Sequence, residues 1–334
     1  MNPMNISFMI GFESSLIFGK YRRAIFVGLA LIVIFQFKAN SQQYPFGIPP
    51  ILKDRSALVA KVKRLPWDEP LKIESLIEPS LIPIIDTAIK TITGQSKFGG
   101  MPDLPSDWNW PTYKNEPMVF LGQVNLKEVS AIYSDSLLPK QGILFFFCFF
   151  NQPENEYGPS YEFKRSNEEY KVLYFNGNND QLKTRPFPEK LYSGYHFASL
   201  PIRFELIHYF PNTTETYRFQ KAGLNRNDEM LFNEMTDLSG LFLPDIILGT
   251  PSPRQYGADY DWAYAFLKVP LQEYENPDWR EKVNTLVPDF INLFSFALED
   301  KFKILGYTNC NFGIRKQDLK ARNFDKTVFI MQGD

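Results

Sequence analysis

Two histidines, His196 and His208, are the side chains of this sequence best suited to proton transfer or zinc binding near neutral pH. Neither has a cysteine, a second histidine or a carboxylate at metal-ligand spacing, so the sequence predicts no metal site and no cofactor. The HExxH, GxSxG, Walker and GxGxxG motifs are all missing. A serine–histidine–aspartate triad built from scattered residues is the weaker interpretation, and we predict no catalytic residue.

Four polar residues are the best candidates for a ligand-binding cleft. Gln123 lies in a strand-like segment, whereas Asp245, Arg254 and Gln255 surround a glycine–proline turn. Buried amides and an ion pair at the ends of strands can shape a polar pocket, so we predict that these four side chains line one. The alternative is that the same cleft belongs to a hydrolase.

Two further clusters allow a functional and a structural interpretation. Asp259 and Asp261 flank one tyrosine and could bind Ca²⁺ or act as an acid–base pair, although such an acidic turn is more often solvated. Trp108 and Trp110 could stack on a sugar, but tryptophans flanked by prolines more often close one end of a core. We favour the structural interpretation for both clusters.

Composition and charge limit the class of protein. Hydrophobic residues make up 44% and charged residues 22% of the 334, which is typical of a globular protein. The net charge is −2, and because residues 1–41 carry +3, the remainder carries −5. An acidic domain lacks the basic surface that phosphate backbones require, so nucleic acid is excluded as an expected partner. Whether Cys148 and Cys310 form a disulfide depends on the compartment, and the sequence leaves both outcomes open.

The N-terminus has the layout of an export signal. Ala24–Phe37 is apolar except for Gln36, and at ~1.5 Å per residue it would span only about 21 Å as a helix. Three basic residues precede it: Lys20, Arg22 and Arg23. Small residues at Ala39 and Ser41 predict cleavage before Gln42. The alternative is an uncleaved anchor, and both place the domain outside the cytosol, either periplasmic, secreted or anchored.

The rest of the chain divides into a lead-in and a domain. Residues 1–41 are the signal peptide or anchor, residues 42–79 a lead-in with an amphipathic helix over Ile51–Leu65, and residues 80–334 the main domain. Short apolar runs beyond Gly94 predict an α+β fold with mainly antiparallel sheets and few interspersed helices. The predicted strands are Val119–Leu126, Gly142–Phe150, Tyr170–Phe175, Ile202–Phe210, Asp261–Val269, Phe290–Leu298, Asn309–Ile314 and Lys326–Met331. The predicted helices are Leu126–Ser134, Asp228–Leu238, Trp279–Val287 and Lys316–Arg322.

An internal echo suggests a duplication. The segment Gly99–Pro102 precedes a strand and then a strand that begins with glycine, and Gly249–Pro251 precedes a similar pair. The spacings differ, so the echo alone does not establish that the two halves share one fold.

Five blocks in a fixed order carry a family resemblance: Ser96–Pro105, Phe120–Leu126, Leu138–Phe146, Leu248–Gln255 and Phe312–Leu319. In this order they resemble the YwqG-like family, a bacterial domain of unknown function, over roughly residues 80–332. The resemblance implies a compact α+β domain with antiparallel sheets. Some relatives lie near toxin–immunity genes, which implies protein binding rather than catalysis.

The sequence departs from the family pattern at two places. Asp245 stands where the family often has a histidine, and residues 304–307 replace a usual Trp-Gly-Asp signature. Both departures argue against a polar catalytic site that depends on those residues. The expected function is therefore a non-enzymatic domain of the bacterial cell envelope that binds a protein or a small ligand, with a hydrolase or a glycan-binding module as alternatives. Contact with a membrane is expected only through an uncleaved N-terminal segment.

Overall fold

Short helices are interspersed among antiparallel strands along the chain. The computed structural model describes residues 48–134, 137–151, 167–211, 216–239, 243–252, 257–302 and 308–333. The helices are α1 (Pro50–Lys53), α2 (Arg55–Val62), α3 (Pro70–Ser75), α4 (Leu126–Ile132), α5 (Tyr217–Ala222), α6 (Arg226–Ser239), α7 (Ala258–Phe266), α8 (Pro277–Leu286), α9 (Glu299–Phe302) and α10 (Lys316–Lys320). The strands are β1 (Glu78–Ile85), β2 (Lys97–Phe98), β3 (Asp103–Pro105), β4 (Thr112–Tyr113), β5 (Glu116–Pro117), β6 (Val119–Asn125), β7 (Ile143–Cys148), β8 (Tyr170–Phe175), β9 (Leu182–Thr184), β10 (Leu200–Tyr209), β11 (Phe290–Ala297), β12 (Thr308–Arg315) and β13 (Val328–Gly333).

The strands form two main sheets joined at one point. One sheet has the order β1-β10-β2-β6-β7-β8 and the other β11-β12-β13, with antiparallel pairing throughout the described ladders. Ile247 pairs with Leu81 of β1, and the adjacent Ile246 pairs with Ser295 of β11. The segment before Gly249 therefore links the edges of the two sheets. This architecture confirms the predicted α+β class with antiparallel sheets.

Aromatic side chains fill the space between the two sheets. The ring centroid of Phe146 on β7 lies 5.2 Å from that of Phe294 and 5.0 Å from that of Phe312. Phe98 stacks on Phe294 at 5.5 Å. Each buried ring removes roughly 150–250 Å² from water. The strand-rich core thus accounts for much of the aromatic content of the sequence.

The free ends of the two sheets, β8 and β13, meet through side chains, and we call this contact the seam. Tyr170 donates its hydroxyl to the carbonyl of Thr327 at 2.9 Å, and its ring lies 5.4 Å from that of Phe329. Tyr174 and Phe324 lie 4.9 Å apart. Between the described residues no backbone ladder joins β8 to β13.

The chain contains the same arrangement twice. We call the segment 94–103 with β6, α4, β7 and β8 the first repeat, and the segment 243–252 with β11, α9, β12 and β13 the second repeat. In each, three strands form an antiparallel meander with a helix between the first two strands. The first strand of each has an irregular register, between Phe120 and Gly122 in β6 and between Asn292 and Phe294 in β11.

Backbone details of the repeats agree position by position. The helix of the first repeat begins where Leu126 donates its N–H to the carbonyl of Gly142 at 2.8 Å, and Leu298 donates to Thr308 at 2.9 Å in the second. Two consecutive residues have positive φ in each repeat: Gly99 and Gly100 in the first, Leu248 and Gly249 in the second. The echo in the sequence thus corresponds to a repeated structure.

Most predicted strands are present, and one is a helix. The run Asp261–Val269 was predicted as a strand, which is wrong because Ala258–Phe266 forms α7. Trp262, Ala263 and Phe266 have the i, i+1, i+4 spacing of a helix face that packs on the second sheet. Short apolar runs do not distinguish a buried helix from a strand.

The predicted lead-in helix over Ile51–Leu65 is interrupted at Asp54. The Asp54 carboxylate accepts hydrogen bonds from the N–H groups of Ser56 and Ala57, which makes it the N-cap of α2. The helix therefore starts anew at this residue, after the short α1.

The segment on which the predicted export depends lies outside the described residues. Residues 1–47, with the predicted signal segment and cleavage site, are not described, and residues 48–334 form a separate unit. None of the described helices combines the length and apolar character needed to cross a bilayer. Cys148 and Cys310 are both buried, and no disulfide joins them in the structure.

Candidate functional site

Gln123 belongs to a buried ionic cluster on the outer face of the first repeat. Asp103 Oδ2 accepts from Lys97 Nζ at 2.8 Å and from Gln123 Nε2 at 2.8 Å, while Oδ1 accepts from Thr184 Oγ1 at 2.7 Å. The Gly94 N–H also donates to Oδ2 at 3.1 Å. Burial alone would raise the pKa of Asp103, but the Lys97 ammonium and these hydrogen bonds outweigh it and lower the pKa.

Asp245 belongs to a second buried ionic cluster. Lys301 Nζ lies 2.7 and 2.8 Å from the two Asp245 oxygens and donates to the Ala297 carbonyl at 3.1 Å. The Ala297 N–H donates to Asp245 Oδ1 at 2.8 Å. The ammonium also lies 5.0 Å from the centroid of the Phe98 ring. The side chains of Lys301 and Asp245 are both 0% exposed, so their charges are compensated inside the protein.

The two clusters lie on opposite sides of β2. Lys97 and Phe98 are consecutive in this strand, so their side chains point to opposite faces. Gln123 is on the Lys97 side and Asp245 on the Phe98 side, and the structure does not bring them into one cleft. Arg254 and Gln255 lie outside the described residues, so their part in the predicted site stays a prediction.

The outer face of the second repeat has a different chemistry from that of the first. The strand registers of the two repeats make Asn309 and Gln332 the equivalents of Ile143 and Phe175. By the same registers, Ser295 and Asn311 are the equivalents of Gln123 and Phe145. We call the following set, all at most 2% exposed, the polar layer: Asn292, Ser295, Asn309, Asn311 and Gln332. Helix α7 covers this layer, with Trp262 donating from Nε1 to the Asn311 carbonyl at 3.1 Å.

An open groove of about 700 Å³ lies on the other side of α7, and we call it the helical groove. Its walls come from α5, α7, α8 and the residues just before α8. The rings of Tyr217 and Tyr260 lie 6.5 Å apart at 62° along one wall. Tyr260 donates its hydroxyl to Gln220 Oε1 at 2.8 Å, which fixes the orientation of an amide in the groove.

Opposite charges line the helical groove. Lys221 Nζ lies 5.5 Å from the centroid of the Tyr217 ring, and Arg280 pairs with Glu275. The side chain of Glu275 is 85% exposed, so this ion pair is open to water and weak by itself. The groove therefore offers ring faces, a side-chain amide and both charge signs to a ligand, a combination suited to recognition.

Asp259 fixes the backbone behind both groove tyrosines. Its Oδ2 accepts from the Tyr217 N–H at 2.9 Å, and its Oδ1 accepts from the Tyr260 N–H at 3.0 Å. Burial raises the pKa of Asp259 to about 6, against the lowering effect of these hydrogen bonds. The neighbouring Asp261 accepts from Gln332 Nε2 at 2.8 Å. The acidic turn seen in the sequence is thus part of α7 and joins the groove to the polar layer.

The remaining candidate residues have packing contacts. Trp108 meets Phe145 at 6.3 Å and Phe175 at 6.1 Å, both edge-on, and Trp110 meets Phe147 at 5.6 Å. These contacts cover the outer face of β7, as the structural interpretation of both tryptophans predicts. Among the described residues, no three histidine, cysteine, aspartate or glutamate side chains are grouped to hold a metal ion.

The histidines also lie apart from the groove. His196 stacks on Phe187 at 4.3 Å, and His208 is on β10, where its Nδ1 is buried without a hydrogen-bond partner. Burial lowers the pKa of His208, helped by the nearby Arg55. Sequence reasoning missed the helical groove, because Asp261–Val269 was interpreted as a strand and the helix that forms its wall went unseen.

Comparison with known proteins places the chain in a family without giving a reaction. No curated protein matches it. The model of a family described as a domain of unknown function, DUF1963, matches residues 96–333, which include both repeats and the helical groove. That match spans well over half of the sequence. The chain therefore belongs to the DUF1963 family of domains of unknown function.

Proposed function

We propose that this protein is a YwqG-like, exported, non-enzymatic binding domain of the bacterial cell envelope, and that the helical groove holds a peptide segment of another protein. The observation that carries the proposal is the composition of the groove, in which Tyr217, Tyr260, Gln220, Lys221 and Arg280 converge on one open space. Ring faces and paired charges of this kind are typical of surfaces that recognise peptides.

The size of the groove supports a short segment as the ligand. A volume of about 700 Å³ falls within the range of roughly 300–1,000 Å³ that is common for ligand pockets. Tyr217 and Tyr260 supply ring faces for an apolar side chain, and Lys221 or Arg280 supplies a cation for a carboxylate. The Gln220 amide is able to bond a peptide backbone.

The ionic clusters support a structural role by contrast. Asp103 and Asp245 each accept several short hydrogen bonds, and their side chains are buried within the protein. A ligand would have to displace those partners, and leaving a buried carboxylate unpaired costs roughly 3–5 kcal/mol. The open groove has no such barrier, so it is the better binding surface.

The test is a selection of peptides from a random display library on the full-length mature protein, followed by measurement of Kd. Tyr260→Ala and Arg280→Ala should each weaken binding of the selected peptides by about tenfold or more, because both remove a central contact. Tyr192→Ala is the matched control, since Tyr192 is 40% exposed and does not line the groove. Peptides that bind the wild type and both groove variants equally would contradict the proposal.

Export is tested separately. N-terminal sequencing of the mature protein should begin close to Gln42, with the protein in the envelope fraction, because a basic cluster precedes the apolar run Ala24–Phe37. A protein that retains Met1 and stays with cytosolic markers would contradict this part of the proposal.

A further inference from the structure

The side chain of Asn311 lies in the middle of the polar layer without a hydrogen-bond partner. Both its Oδ1 and its Nδ2 are buried and unbonded, and the residue is 0% exposed. Buried amides in folded proteins nearly always have partners, because an unsatisfied polar group loses its hydration without compensation. An amide with both of its polar atoms unpaired therefore indicates a bound group that supplies a donor and an acceptor.

The first repeat shows what this position looks like without such a group. Phe145 occupies the position of Asn311, and its ring packs against Trp108. In the second repeat an amide stands in place of that ring, and Ile143 is replaced by Asn309, which donates to the Ser252 carbonyl at 3.0 Å. At these two positions, apolar side chains of the first repeat are thus replaced by amides in the second.

Strand pairing supplies a third polar atom at this place. Ser295 on β11 lies directly opposite Asn311 on β12. The Ser295 hydroxyl donates to Asn292 Oδ1 at 2.8 Å, which leaves lone-pair capacity on its oxygen. Directly opposed residues have Cβ atoms roughly 4.5–5.5 Å apart, a distance that one small molecule can bridge.

We infer that the polar layer binds an internal water molecule between Asn311 and Ser295, held as a permanent part of the fold. Water donates to Asn311 Oδ1, accepts from Asn311 Nδ2 and reaches Ser295 Oγ, which gives it the two to four polar partners that buried waters have. An ion is the poorer fit, because the bonding atoms here are neutral. The site is independent of the helical groove, which lies on the other face of α7.

Two measurements on the full-length mature protein test the site. A crystal structure of the wild type should show one ordered density peak about 2.7–3.2 Å from both Asn311 side-chain atoms. An empty site, or an Asn311 amide bonded to protein atoms instead, would overturn the inference. Native mass spectrometry should give the mass of the chain alone, and an additional mass released on denaturation would mean an organic ligand rather than water.

Thermal unfolding of two nearly isosteric variants gives an independent reading. Asn311→Leu should lower Tm to an extent similar to Asn309→Leu, whose amide has a described partner, because both would lose real hydrogen bonds. If the site is dry, Asn311→Leu removes an unsatisfied amide and should leave Tm unchanged or raise it, which would overturn the inference. The crystallographic measurement decides the matter should Asn311→Leu fail to fold.

Discussion

The two repeats each bury one lysine–aspartate pair, but at different places in the same framework. In the first repeat the pair is Lys97–Asp103 on the outer face of the sheet. In the second it is Asp245–Lys301, between the sheets and against Phe98. A serine stands at the corresponding place of the other repeat in both cases, Ser96 for Asp245 and Ser252 for Asp103.

The position between the sheets shows why one repeat can have a serine where the other has an aspartate. Ser96 Oγ accepts from the Asn125 N–H at 2.8 Å in the first repeat, and Asp245 Oδ1 accepts from the Ala297 N–H at 2.8 Å in the second. The backbone N–H requires an acceptor in both, and a hydroxyl or a carboxylate will serve. Only the carboxylate brings a charge, and Lys301 compensates it.

The outer position shows the reverse case. Gly94 donates its N–H to Asp103 in the first repeat, and Leu243 donates to Ser252 Oγ at 2.8 Å in the second. The carboxylate is accompanied by Lys97, whereas the hydroxyl belongs to Ser252, whose own backbone carbonyl accepts from Asn309 Nδ2 at 3.0 Å. The backbone geometry is thus shared, and in each repeat the buried aspartate is compensated by a buried lysine.

The largest effect is expected when the lysine–aspartate pair of the second repeat is broken. Lys301→Met leaves the Asp245 carboxylate buried without its cation and should lower the free energy of unfolding by about 3–5 kcal/mol, measured by urea unfolding. The double variant Asp245→Ser with Lys301→Val installs the residue types of Ser96 and Val129, which stand at the corresponding positions of the first repeat. It should lose less stability than Lys301→Met, and an equal or larger loss would contradict the equivalence of the repeats.

The next effect concerns the left-handed pair of the first repeat. Gly99 has φ +55°, and a Cβ there would lie 2.6 Å from the Ala198 carbonyl oxygen. Gly99→Ala should therefore cost about 2 kcal/mol or more in the free energy of unfolding, from strain and from the clash together. Gly223→Ala is the control, because Gly223 has φ +57° but open space around it, and it should cost only about 1 kcal/mol. Equal losses would mean that crowding is not the reason the first repeat needs glycine.

A smaller effect is expected for the outer pair of the first repeat. Lys97→Met should lower the free energy of unfolding by about 2 kcal/mol, less than Lys301→Met, because Asp103 keeps hydrogen bonds from Gly94, Gln123 and Thr184. Chemical denaturation of both variants under one condition gives the ranking. If Lys97→Met proves the more damaging change, the remaining hydrogen bonds do not compensate the Asp103 carboxylate as we expect.

The last prediction concerns the dependence of stability on pH, which should have opposite slopes for Asp103 and Asp259. The pKa of Asp103 is lowered by folding, so its contribution is present above the unfolded pKa and is lost as the pH falls through and below about 4. The pKa of Asp259 is raised to about 6, so its contribution to stability decreases as the pH rises from about 4 through 6. Unfolding curves between pH 3 and 7 check both signs.

The matched variants separate the two carboxylates. Relative to Asp103→Asn, the wild type should become less stable towards low pH, and relative to Asp259→Asn, less stable towards neutral pH. Differences with the same sign in both comparisons would refute the assignment of opposite shifts.

Local sequence pattern was enough for most of the sheet. Tyr170–Phe175 was predicted with the bounds that β8 has, because a short, mostly apolar run lies there between polar, turn-rich segments. Asp261–Val269 was wrong because its apolar residues fit either period over so short a length. Because of that one error, α7 was not predicted, and neither was the groove wall to which it contributes.

The candidate site was harder to predict, because it depends on which face of a strand each residue occupies. Gln123 and Asp245 are both buried polar residues next to strands, as expected, yet β2 separates them. The partner of Asp245 lies 56 positions along the chain and meets it only through the pairing of the second sheet. Such contacts follow from register, which a single sequence does not encode locally.

The seam has a consequence for how the domain opens. Because side chains such as Tyr170 rather than a ladder of backbone bonds hold β8 beside β13, these two strands can separate while β1 and β10, at the other edge of the first sheet, stay paired. Amide hydrogen exchange would then show two tiers, with β8 and β13 exchanging through local opening and β1 and β10 only through global unfolding. The seam would therefore open before the rest of the domain unfolds.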